Sequence, residues 1–63
     1  YYSQLREGDL LFFKTNGWKV NHVGIYGGSK RFIHSSSGGG VKWSSLDEEY
    51  WGSRLCDVRR IEF

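Results

Sequence analysis

Apolar residues fall in short runs separated by Gly, Ser and Asn, with no helical stripe longer than two turns and no internal repeat. This pattern predicts strands. Leu10-Leu11-Phe12-Phe13 follows Gly8-Asp9 and stops at Asn16-Gly17, a dipeptide suited to the positive φ angles of a tight hairpin; strand one is expected from Asp9 to Lys14. Val20 to Tyr26 reads as strand two, ending at Gly27-Gly28-Ser29, and Arg31 to Ser35 as strand three, broken by Ser36-Ser37-Gly38-Gly39-Gly40. Val41-Lys42-Trp43 is a short fourth strand. Ser45-Leu46-Asp47-Glu48 then has the Ser-x-x-Glu form of a capping box, predicting one or two helical turns through Tyr50 and Trp51 and a stop at Gly52. Leu55 to Phe63 alternates as a fifth strand. Consecutive strands on short connections predict a mainly β fold, a five-stranded antiparallel meander curling toward a small open barrel with one short helix.

Alternation along strand two puts Val23 and Ile25 on one face and His22, Gly24 and Tyr26 on the other, so the histidine is expected off the apolar face. On strand three Phe32 and His34 share a face. A three-residue turn at Gly27-Gly28-Ser29 sets His22 directly opposite His34 and Gly24 opposite Phe32, with paired Cβ atoms about 4.5–5.5 Å apart. A two-residue turn would send the histidines to opposite faces. Gly24 is expected to leave a bare patch that another backbone could approach. On spacing alone the histidines are polar residues on a solvated face, a catalytic pair, or two ligands of a zinc site completed by Asp9, Cys56 or an outside group.

Composition narrows these readings. The 63 residues make at most one small domain, and a chain of this size buries only roughly 60% of the surface its unfolded form exposes. Aromatics at 17% against 25% charged residues are too apolar for disorder and too interrupted for a membrane span. Nine Lys and Arg against seven Asp and Glu give a scattered charge of +2, which argues against a nucleic-acid partner. The single cysteine, Cys56, has no internal disulfide partner and is expected as a small buried residue sharing a face with Val58. Pro and Met are both absent, and the chain is expected to be a piece of a longer protein. Asp9 is expected to tie down backbone amides where a strand begins. Ser35 and Ser36 read as loop residues, Gly38-Gly39-Gly40 as a flexible turn rather than a phosphate loop, and Trp18, Trp43, Tyr50 and Trp51 as packing surface more than a stacking platform.

Taken together, Gly8-Asp9-Leu10-Leu11-Phe12-Phe13, Asn21-His22-Val23-Gly24-Ile25-Tyr26, Arg31-Phe32-Ile33-His34-Ser35-Ser36 and Gly39-Gly40-Val41 resemble the C-terminal half of the NlpC family of bacterial cell-wall cysteine peptidases. The likeness continues through Ser44-Ser45-Leu46 and Tyr50-Trp51 to Arg59-Arg60-Ile61, essentially the whole chain. It implies the sheet half of a papain-like α+β domain, in which a cysteine at a helix N-terminus packs on a sheet bearing the histidines. Residues 1–63 would be the histidine-bearing part of one such domain. The implied activity is hydrolysis of peptidoglycan stem peptides next to a γ-linked D-glutamyl residue, in the bacterial cell envelope or secreted, without a cofactor. His22 matches the catalytic histidine and His34 the residue that orients it. A free thiol ionises only partly at neutral pH; a nearby imidazole takes its proton and later protonates the leaving amine. The family's nucleophile lies in an Asp-Cys-Ser-Gly-like segment upstream of the Gly8-Asp9 block, and nothing here matches it. The chain alone is therefore expected to be inactive, with the missing N-terminal half of the domain as its partner. Cys56, inside an expected strand with no helix following it, is not expected to substitute. The competing expectation is a non-enzymatic small β-barrel module that binds peptide or glycan through its aromatic residues.

Overall fold

Glycines and polar turns cut the chain into β1 (Leu10–Phe13), β2 (His22–Gly28), β3 (Arg31–Ser36), β4 (Gly40–Ser45), the single-turn α1 (Glu49–Gly52) and β5 (Leu55–Arg59). The computed structural model describes residues 4–36 and 39–61. Ser37 and Gly38 of the expected glycine-rich turn, and the last two residues of the expected fifth strand, lie outside the described residues. The strands form one antiparallel sheet in the order β4-β3-β2-β1-β5. The fold is thus mainly β with five antiparallel strands and one short helix. The first four strands run as a meander, and β5 returns beside β1 after α1 has carried the chain over the sheet.

The core lies on one face: Leu11 and Phe13 of β1, Tyr26 of β2, Phe32 of β3 and Leu46 after β4 are buried, with Leu5, Trp51, Leu55 and Val58 packed around them. Phe13 and Phe32 stack at 5.0 Å, and Trp51 meets both edge-on at 5.1 and 5.5 Å. Burying each such side chain contributes about 1.5–3 kcal/mol. The opposite face leaves Val23, Ile25, Val41 and Trp43 exposed. The expectation that His22 lies off the apolar core face is therefore overturned: Val23 and Ile25 point outward, and His22, Gly24 and Tyr26 share the buried face. Alternation in β2 defines two faces but not which one is covered; the docking of Trp51 and Leu46 on Phe13 and Phe32 decides that.

Asn16-Gly17 does not make a tight hairpin. The β1–β2 connection is a wider loop, with Gly17 at φ 90° and the Asn16 Oδ1 accepting from the amides of Trp18 and Lys19 at 3.3 Å each. Asn21 closes it, its Oδ1 accepting from the Thr15 amide and hydroxyl at 2.9 and 2.8 Å. The capping-box residues bond one turn ahead of α1: Glu48 Oε2 accepts from the Ser45 amide at 3.0 Å, and Ser45 Oγ from the Asp47 amide at 3.0 Å.

β5 stops at Arg59 because Arg60 turns back to the beginning of β1. Its Nε and Nη2 donate to the two oxygens of Asp9 at 2.9 Å each, and Nη2 also reaches the Gln4 carbonyl. Asp9 is buried and additionally accepts from the Arg6 amide at 2.9 Å, the amide-tying role expected of it. The Arg60 hydrogen bond first, and the Arg6 amide second, hold its carboxyl down at about 2.

Candidate active site

Two features of the β2–β3 hairpin bring the histidines together. The turn proper is Ser29-Lys30, with φ 54° and 62°, the positive pair that a two-residue hairpin requires. That is one residue shorter than expected, and alone it would put His22 and His34 on opposite faces. The register, however, slips between Tyr26 and Gly28. The extra residue, Gly27, is a bulge that restores the parity. The resulting pairs are Gly24↔His34, Ile25↔Ile33 and Tyr26↔Phe32. His22 is therefore not directly opposite His34, and Gly24 is not opposite Phe32, as the three-residue turn implied. The histidines are diagonal neighbours on one face, within reach for long side chains.

Gly24 leaves no bare patch. A Cβ there would lie 2.7 Å from Phe32 Cδ2, so the Phe32 ring already fills that space. The bulge glycine is covered from the other side, where the Trp43 indole occupies the position a Gly27 Cβ would take.

The side chains form a linear chain of hydrogen bonds. His22 Nε2 lies 2.9 Å from His34 Nδ1, and His34 Nε2 lies 2.8 Å from Ser44 Oγ. Ser44, buried on β4 opposite Phe32, was quoted in the sequence only as part of a matching block and given no role. Its signal was parity: with Val41 and Trp43 outward, Lys42 and Ser44 face the histidines. One proton arrangement satisfies both contacts with His34 as acceptor at Nδ1: His22 donates from Nε2, His34 donates from Nε2 to Ser44, and His22 Nδ1 keeps its lone pair.

That arrangement needs a neutral His34, which the surroundings supply. His34 is buried, and burial first, then the neighbouring His22 and Lys42, push its pKa below the usual histidine value. A protonated His34 would present two donors and could not accept from His22. Trp51 packs along His22 at 5.1 Å and 30°, and edge-on to His34 at 4.8 Å and 71°. His22 is half-buried and lines a cleft of about 390 Å³ together with Phe12, Val20, Asn21, Val23 and Ser35. Val23 and Ser35 also line the apolar groove on the outer face, which continues to Ile25, Ile33 and Val41.

The zinc reading finds no third ligand among the described residues. The facing nitrogens are engaged with each other, Asp9 is engaged by Arg60, and no three His, Cys, Asp or Glu side chains converge among the described residues. Cys56 is exposed, not buried beside Val58. Phe12 pairs with Asp57 and Phe13 with Leu55, so Cys56 is the extra residue of a bulge, its thiol donating to the Phe12 carbonyl at 3.3 Å. β1 separates it from the His22 strand by two strand spacings, about 10 Å. Trp18 sits on the β1–β2 loop, Trp43 on the outer face under the Arg31 guanidinium, and Trp51 against the histidines, so they form no common platform.

The chain is 51% identical over 59 residues to the probable endopeptidase NlpC homolog of Haemophilus influenzae, covering 94% of this chain and 30% of that protein. It is 46% identical over 59 residues to the murein DD-endopeptidase MepS/murein LD-carboxypeptidase of Escherichia coli K12, covering 94% of this chain and 31% of that protein. A crystal structure of an NlpC/P60 family protein from Bacillus cereus superposes with a TM-score of 0.81 at 28% identity, over 95% of this chain and 21% of that one. The chain thus spans about a third of the length of these two relatives. Residues 1–60 match the NlpC/P60 family, and the chain belongs to it.

Proposed function

We propose that this chain is the C-terminal, histidine-bearing part of a peptidoglycan-cleaving cysteine peptidase domain, with His22 as general base and acid and His34 as the residue that orients it. The observation that carries this reading is the hydrogen-bonded chain from Ser44 through His34 to His22, which leaves His22 Nδ1 as the basic nitrogen beside an open cleft. The cysteine comes from the part of the domain upstream of residue 1. The outer apolar groove supports this as a surface for that part to cover, since it meets the His22 cleft at Val23 and Ser35.

In the reaction His22 Nδ1 takes the thiol proton, and the thiolate attacks the carbonyl carbon of a stem-peptide bond. The imidazolium returns that proton to the leaving amine as the C–N bond breaks, giving a thioester. His22 then deprotonates the water that hydrolyses the thioester, and the thiol is regenerated. Throughout, neutral His34 accepts from His22 Nε2 and leaves Nδ1 unprotonated; Ser44 fixes His34 in turn. The bond cleaved is the one beside the γ-linked D-glutamyl residue, and the protein works in the bacterial cell envelope or is secreted. No helix among the described residues is long and apolar enough to cross a membrane. A non-enzymatic binding module gains nothing from the tryptophans, which lie on separate surfaces.

The test is digestion of purified stem peptides by the full-length protein, with products identified by mass spectrometry. Cleavage at the D-glutamyl bond, blocked by a thiol reagent, is expected. His22→Ala should lower the rate by about 10²–10⁴-fold, and the 63-residue chain alone should give no turnover. Full activity in His22→Ala would refute the assignment.

A further inference from the structure

A second cleft opens at the same end of the sheet as His22. It measures about 580 Å³ and is lined by Lys14, Thr15, Asn16, Ser53 and Arg54 among others, with no carboxylate in its wall. Neither cation has an ion-pair partner among the described residues. Arg54 is held in place from one side only: Nη1 donates to the Tyr50 carbonyl at 2.9 Å, and the guanidinium carbon sits 4.0 Å from the centre of the Tyr50 ring. Nε and Nη2 take no part in these contacts, which leaves a pre-oriented fork.

Its position relative to the histidine follows from the register. Phe13 pairs with His22 on one side and Leu55 on the other, and the Lys14 amide donates to the Arg54 carbonyl in the next row. With strands about 4.8 Å apart and a rise of about 3.3 Å per residue, the Cα atoms of Lys14 and Arg54 lie about 6 and 10 Å from that of His22. An extended peptide covers that span in two to three residues. The β1–β2 loop joins the two clefts: Lys14 to Gly17 wall the basic one, and Val20 and Asn21 wall the one at His22.

We propose that this cleft is a carboxylate subsite, in which Lys14 and Arg54 bind a free carboxyl group of the substrate peptide two to three residues from the reacting bond. The identity of the ligand rests on the peptidase reading. Arg54 supplies a planar fork suited to two carboxylate oxygens, and Lys14 adds a flexible point charge. The subsite fixes which way the peptide lies across the β1–β2 loop, and with it the direction in which the scissile bond is presented to His22.

The test reads binding rather than turnover. In the full-length protein carrying His22→Ala, a synthetic stem peptide with free carboxyl groups and the same peptide with those groups amidated are titrated by calorimetry. The free-acid peptide should bind about 10-fold more tightly. Adding Lys14→Gln should weaken the acid about 10-fold and leave the amide unchanged. Arg54→Lys, which keeps the charge but not the fork, should weaken the acid about 3-fold. Equal affinity of the two peptides, no binding of either, or Lys14→Gln weakening both alike overturns the subsite. Failure of the peptidase reading shows separately, as stem-peptide turnover that survives His22→Ala.

Discussion

Both faces of this sheet carry apolar side chains, and the two meet different fates. On the inner face Phe13, Phe32 and Leu11 are fully buried, and their packing extends without a break into His22, His34 and Trp51. On the outer face Val23, Ile25, Val41 and Trp43 remain between 47% and 69% exposed. The inner face is a finished core with a polar chain embedded in it. The outer face is an apolar surface of the kind that marks an interaction site, and its groove meets the cleft at His22 through Val23 and Ser35. Stability and the placement of the histidines are thus settled on one side, and the other side presents an open apolar surface.

Substitutions on the two faces should separate these roles. The largest effect is expected from Phe32→Ala, which removes a fully buried ring that also contacts His34 at 4.8 Å; chemical denaturation should show a loss of about 3–5 kcal/mol. Ile25→Ala, on the outer face of the neighbouring strand, should cost this chain less than about 1 kcal/mol, and about 2–5 kcal/mol in the full-length protein if the groove is covered there. A similar cost in both contexts would dissolve the contrast between the faces.

Glycines give a finer version of the comparison. Gly24→Ala forces a methyl group against Phe32 in the closed inner packing and should cost about 1–3 kcal/mol. Gly27→Ala meets the end of the half-exposed Trp43 indole, which can swing into solvent, and should cost less than about 1 kcal/mol while changing Trp43 fluorescence. Ser44→Ala leaves a buried His34 N–H without its acceptor; a loss of about 1 kcal/mol is expected and, under the proposed peptidase reading, a larger change in kcat than in KM for stem-peptide cleavage by the full-length protein.

The smallest effects are those of pH, and both share one sign. Asp9 and His34 have native pKa values below their ordinary ones, so in each window the unfolded chain binds more protons and stability rises with pH. The Asp9 contribution is present above 3.8 and disappears as pH falls toward about 2. The His34 contribution is present above 6.5 and disappears as pH falls below it. Denaturation midpoints across pH should show a shallower lower slope in Asp9→Asn, the remainder belonging to Asp57, whose carboxyl the Arg59 hydrogen bond also holds down, and should lose the upper slope in His34→Gln. An unchanged upper slope in His34→Gln would mean that the inner face does not exclude the charged imidazole.

Much of this was legible in the sequence because apolar runs ended at glycine or serine clusters place strands, and Ser45 with Glu48 marks a helix start one turn early. The placement of His22 and His34 on one face was also legible, but the register was not. A Gly-Gly-Ser stretch serves equally as a three-residue turn or as a bulge followed by a two-residue turn, and both keep the histidines on the same side. Which side is buried depends on where Trp51 docks, a long-range contact invisible to local alternation. Ser44 was missed because its place beside His34 follows only from a second register, set across the β3–β4 turn. Cys56 was misplaced for a similar reason: a bulge opposite Phe12 turns outward a residue that strict alternation turns inward.

The account depends most on the direction of the proton chain. Long-range proton–nitrogen correlation of the imidazoles above pH 7.5, on protein labelled with nitrogen-15 at histidine, tests it directly. It should show both rings protonated at Nε2, a bare Nδ1 on His22, and a coupling across the hydrogen bond between His22 Nε2 and His34 Nδ1. His22 protonated at Nδ1, or two rings that titrate without sensing each other, would contradict it.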